Sequence, residues 1–175
     1  MKRLLIAGVA LACLALGACA TLPARQTVSI EIDAATADAA AVKFEVAVAV
    51  FADTLAFAVA DPNTTLDPQK LGAQVSEARI YLVRGRNAFD ARTGDVTQLA
   101  TQALDVVSAG LPPVAPTKVR TALLGARLAV GLYGATVGVR ASAPVEPSEA
   151  LVSARKSADA AVNRLLKTLP PPGGT

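Results

Sequence analysis

Few side chains in this chain are able to do chemistry, and the ones that are missing narrow the choice further. The 175 residues include no histidine and no tryptophan, and only two cysteines, Cys13 and Cys19. A serine or cysteine nucleophile therefore has no imidazole to take its proton, which excludes Ser–His and Cys–His catalysis. With no histidine and only two cysteines, zinc sites built on His or Cys are excluded too. Carboxylates, lysine, tyrosine and serine remain, and with them one suggestive spacing, Ser153-Ala154-Arg155-Lys156. One helical turn would set that lysine amine beside the hydroxyl it must deprotonate. Cys19, just behind a short apolar run, is the other reactive group in a defined context.

The spacing S-x-x-K is the nucleophile motif of penicillin-binding proteins and serine β-lactamases. Those enzymes also need K-T-G and S-D-N elements, and neither occurs here. Ser153 and Lys156 are therefore expected on the solvated face of a polar helix. Asp61-Pro62-Asn63-Thr64-Thr65-Leu66-Asp67 offers loop oxygens but lacks the glycine and terminal glutamate of a calcium loop. It reads as a turn and a helix cap. No catalytic residue, metal ligand or cofactor is assigned.

The N-terminus carries the sharpest signal. Lys2 and Arg3 form a positive region, Leu4 to Leu16 are uncharged, and Gly17 and Ala18 are small. The apolar run is shorter than the roughly 20 residues that a spanning helix needs. Leu16-Gly17-Ala18-Cys19 resembles the lipobox of bacterial lipoprotein precursors. The resemblance implies cleavage before Cys19, which then carries a diacylglyceryl thioether and an amide-linked acyl chain such as palmitate. Two or more chains anchor stably. Ala20, where aspartate would favour the inner membrane, implies the outer membrane. Residues 1–18 are thus expected to be a signal peptide and 19–32 an acylated tether. A helical domain follows over 33–169, with a disordered tail at 170–175.

Removal of Lys2 and Arg3 lowers the formal charge of +3 to +1. A nearly neutral domain gives no electrostatic case for nucleic acid. Cys19, once acylated, leaves no thiol for a disulfide. A domain of this length can bury about 70% of its surface without one.

Apolar periodicity must then position what chemistry there is. Val28, Ile30 and Ile32 alternate with polar residues but have no partner strand, and read as an extended lead-in. From Asp33 to Ala60, Ala41, Phe44, Val48, Phe51 and Leu55 recur at helical spacing. Asp67-Pro68 caps a second helix, with Leu71, Val75, Ala78, Leu82, Gly85 and Phe89 inward, to about Ala91. Asp95 starts a third, with Leu99, Ala103 and Val106 inward, stopped by Gly110 and Pro112-Pro113. Pro116 opens a fourth, with Val119, Leu123, Ala126, Val130 and Tyr133 inward. Pro147 opens a fifth, carrying Leu151, Ala158, Val162, Leu165 and Leu169. The pattern predicts an all-α antiparallel bundle of four to five helices.

Three surface features could serve partners. Gly131, Gly134 and Gly138 share a face of the fourth helix and form a possible helix-contact surface. The nearly continuous apolar run 122–139 leaves membrane insertion as an alternative, against which Arg127 stands inside the span. Asp53 and Arg127, each a lone charge in an apolar run, could pair across the bundle; the simpler reading has each facing water on its own helix. Arg79, Arg84, Arg86 and Arg92 could form an anionic-lipid patch, but Arg86 and Asp90 at i,i+4 favour a salt-bridged surface.

The expected function is a lipid-anchored, periplasm-facing scaffold or interaction module of the cell envelope, without enzymatic activity. Its partners would be outer-membrane lipid through Cys19 and an envelope protein or a second copy. The alternative is a binding protein for a lipid or apolar small molecule in the bundle interior. A third reading is an enzyme acting on cell wall or lipid.

Overall fold

The computed structural model describes residues 34–91, 96–137 and 146–171. Cys19, its tether, Arg92 and Gly138 lie outside them. Five helices make up the fold: α1 (Ala34–Ala60), α2 (Pro68–Ala91), α3 (Val96–Gly110), α4 (Thr117–Val137) and α5 (Glu149–Thr168). They form an antiparallel bundle in which successive helices alternate in direction.

Local chemistry sets the helix ends. Asp67 caps α2, its Oδ1 accepting from the Gln69 N–H at 2.9 Å and the Lys70 N–H at 3.1 Å. These bonds satisfy backbone donors that the first helical turn leaves without partners. Between α1 and α2, Asp61 closes a tight turn by accepting from the Asn63 N–H at 2.9 Å. Ser148 caps α5, accepting from the Leu151 N–H at 3.1 Å. Its own hydroxyl and amide donate to Asp38 on α1, so the start of α5 is fastened to α1.

The alternation places α1 and α5 in the same direction, and they pack most extensively. Contacts between Asp38 and Ser148, Glu45 and Arg155, and Asp53 and Arg164 step down the pair in nearly one-to-one register. The other main packings are α2 on α3 and α1 on α4. The predicted inward residues of α1, α2, α4 and α5 are buried or half-buried at every position whose side chain is described. On α3 the stripe is turned: Val96, Ala100, Ala103, Leu104 and Val107 are buried, while Leu99 and Val106 are half-buried. Ala103 belongs to both stripes, and the buried face is centred on Val96, Ala100 and Val107 rather than on Leu99 and Val106.

The chain's return to α2 depends on a missing side chain. A Cβ on Gly72 would stand 2.7 Å from the Pro170 carbonyl oxygen, a backbone atom that cannot swing aside. Alanine would raise helix propensity by about 1 kcal/mol. The overpacking costs about 1–3 kcal/mol and should win. Gly72→Ala is therefore expected to lower the urea midpoint of the folded chain despite its better propensity.

Candidate functional site

Two places in the bundle gather unusual side chains. The first is a buried charged centre. Glu45 is 2% exposed, the buried charged residue of the described core. It lies on the alanine-rich flank of α1, and α2 and α5 bring their arginines to it. Arg86 on α2 clasps it with both oxygens engaged: Nε to Oε1 at 2.8 Å and Nη2 to Oε2 at 2.7 Å. Arg86 also donates to Asp159 on α5 at 2.6 Å. Arg155 on α5 places its Nε 3.8 Å from Glu45 Oε1 and forks onto Asp90 of α2 at 2.8 and 2.9 Å. Burial works against the Arg86 charge. The two carboxylates on it outweigh burial and hold its pKa above the ordinary guanidinium value.

An aromatic cluster adjoins this centre. Phe44 stacks on Tyr133 at 5.5 Å, Phe89 tilts against Tyr133 at 5.6 Å, and the Arg155 guanidinium lies 5.8 Å from the Phe89 ring. Four of the five helices thus meet here. Burial pushes the Tyr133 phenol pKa well up from its ordinary value, so the hydroxyl stays neutral. Apart from Arg155 Nε, which is buried without a hydrogen bond, the charged groups are occupied with one another, and the arrangement is that of a structural clasp.

The second place is the outside of α4. Leu124, Leu128 and Leu132 are 58%, 64% and 58% exposed. Thr121, Gly125 and Gly131 beside them are exposed too. Ala126 and Ala129 face the core beside Val119, Val130 and Tyr133, while these leucines face out. Neighbouring α1 adds exposed Val46, Val50 and Phe57.

The glycines predicted as one contact face do different things. Gly134 lets α3 approach, since a Cβ there would meet Thr97 Cγ2 at 2.7 Å. Gly131 has nothing within 4 Å of that position. The proposed Asp53–Arg127 pair does not form. Asp53 holds Arg164 on α5 at 2.8 Å, and Arg127 holds Asp105 on α3 at 2.8 Å. The physical reason is placement: Asp53 lies on the α5 side of α1, and Arg127 on the α3 side of α4. Both pairs are about half exposed and contribute at most about 1 kcal/mol. The predicted Arg86–Asp90 surface pair is also replaced, because Arg86 turns inward to Glu45 and Asp90 takes Arg155.

Ser153 and Lys156 are both exposed on the outer face of α5. An apolar cavity among Val48, Leu55, Val75, Leu82, Leu104 and Val162 has a volume of ≈ 40 Å³. Pockets for small molecules run to about 300–1,000 Å³. No described helix is long and apolar enough to cross a membrane, and no described acidic, His or Cys cluster could hold a metal ion.

Removing one partner of a buried pair leaves a charge uncompensated, at about 3–5 kcal/mol. Glu45→Ala should therefore destabilise by about 3 kcal/mol or more in urea titration. Glu45→Met with Arg86→Met should recover most of that loss. Tyr133 gives a pH test. Its folded pKa is raised above the ordinary 10.0, so its contribution is complete below about pH 10 and declines above it, as the unfolded chain ionises first. Stability should fall less steeply above pH 10 in Tyr133→Phe than in the parent chain.

No protein-family model matches the chain, and neither do the curated proteins or the solved structures.

Proposed function

We propose that this chain is a lipid-anchored interaction module of the bacterial cell envelope. Acylated Cys19 holds it to the outer membrane, the bundle faces the periplasm, and the outer face of α4 engages a protein. The observation that carries the reading is the uncharged, water-facing leucine row Leu124, Leu128 and Leu132. Apolar patches of more than a few hundred Å² on a water-exposed domain mark interaction sites.

The non-enzymatic part draws support from how the charged groups are used. Glu45, Arg86 and Arg155 bind one another or neighbouring aspartates, with Glu45 closed to solvent. Ser153 and Lys156 stand exposed on the outer face of α5. The ≈ 40 Å³ cavity is itself too small for an acyl chain, which needs several times that space.

The anchor gives the module its reach. The fourteen residues from Cys19 to Ile32 span at most about 50 Å when extended. The bundle would therefore meet partners in a thin layer next to the membrane.

The anchor is tested by labelling cells that express the full chain with an alkyne analogue of palmitate. Label should be lost, and the chain should leave the membrane fraction, in Cys19→Ser but not in Cys13→Ser. Label retained in Cys19→Ser overturns the anchor. A photo-reactive residue at position 128 tests the face: irradiation should join the chain to protein, and the absence of any adduct overturns the interaction reading.

A further inference from the structure

We infer that the partner on the α4 face is a second copy of this chain, docked antiparallel across a two-fold axis at Leu128. The inference rests on the interaction-module reading above and names its partner.

The face reads the same in both directions. Leu124 and Leu132 stand four residues either side of Leu128, and Gly125 and Gly131 stand three residues either side. A two-fold interface requires this property, because residue i must meet residue j while j meets i. Helical periodicity sets the pairings. At 3.6 residues per turn, Leu124 and Gly131 fall on one side of Leu128, and Leu132 and Gly125 on the other. An antiparallel two-fold axis through Leu128 reverses position along the helix and keeps the side. The Leu124 of one copy then lands over Gly131 of the other, and Leu132 over Gly125. Each leucine knob meets a position with no side chain, the geometry of knobs seated in holes.

The glycines supply an independent observation. Gly125 and Gly131 are exposed, with nothing within 4 Å of the space a Cβ would fill. Glycine inside a helix is unfavourable, and elsewhere in the fold it admits a neighbour: Gly72 admits Pro170 and Gly134 admits Thr97. In the single chain Gly125 and Gly131 admit nothing. A second copy gives both a use.

The area fits a dimer. Leu124, Leu128 and Leu132 with Val46, Val50 and Phe57 of α1 are each half or more exposed. Summed over the two helices they expose at most about 600 Å² of apolar surface, the low end of a standard interface at about 600–1,000 Å² per partner. No charge interrupts the leucine row, and Arg127 at its edge is already held by Asp105.

Cysteine cross-linking of the full chain in cells tests both the dimer and its direction. Leu128→Cys should give a disulfide-linked dimer on non-reducing gels, because the two copies meet at the axis. Leu124→Cys alone should give little, since its copies stand about 12 Å apart along the helix. Coexpressed with Gly131→Cys it should cross-link strongly. Val152→Cys, exposed on α5, is the control for random collision. Equal self-linking at 124, 128 and 131 would mean a parallel pair and overturn the geometry. Linking at 128 no stronger than at 152 overturns the dimer. If the photo-reactive residue at 128 then joins a different protein, the second copy fails while the interaction module stands; if it joins nothing, both fail.

Discussion

Glu45 is buried on the flank of α1 that faces α2 and α5, and its charge must be compensated there. Desolvating a carboxylate costs several kcal/mol, repaid only where the geometry of its partners is good. Arg86 meets that demand with two short hydrogen bonds, one to each oxygen. A bidentate contact is directional, so it sets rotation as well as distance. This matters because α1 and α2 share little other contact, although they are neighbours in the chain. The third nitrogen of Arg86 reaches Asp159, and Arg155 spans Glu45 and Asp90. Three helices are tied at one level. The aromatic stack of Phe44, Tyr133 and Phe89 ties in α4 beside them. Replacement of the whole cluster by apolar residues could be as stable, but it would lose this directionality. Sliding α5 along α1 by a turn would leave apolar side chains nearly as well packed and would strand Glu45.

Helix order, helix ends and most buried stripes were legible in the sequence, because proline, aspartate and glycine punctuate the chain where helices stop and start. Asp67-Pro68 and the apolar repeat from Leu71 to Phe89 are of this kind. The stripe of α3 was less legible, since Leu99 and Val106 lie only a fraction of a turn from the buried face and the apolar pattern of a short helix suits either centre. Ion-pair partners were not legible. Asp53 and Arg127 stand out in sequence because their surroundings are apolar, yet each finds a partner on the helix beside it, more than twenty residues away in the chain. Glu45 did leave a signal. It continues the flank set by Ala41 and Ala52, where small side chains let another helix come close. A charge on such a flank must be compensated from outside its own helix.

The same alanine-rich interior accounts for the exposed leucines of α4. Helices packed through alanine approach more closely than helices packed through leucine, within the usual range of 8–10 Å. Ala126 and Ala129 of α4 and Ala154, Ala158 and Ala161 of α5 are all buried. Turning Leu124 and Leu128 inward would push α4 away from α1 and break the Phe44–Tyr133 stack, loosening the end of the bundle that holds Glu45. The tight core therefore accounts for why alanine stands at positions 126 and 129 on the inner face of α4. It does not account for why the outer positions are leucine, since any polar residue would satisfy the core equally and suit water better. The bundle's own stability cannot supply that reason, and neither can it supply one for the open glycines between them. Both observations are answered by a surface that is covered when the protein works, and the symmetry of their spacing about Leu128 is the property that a copy of the same helix would require.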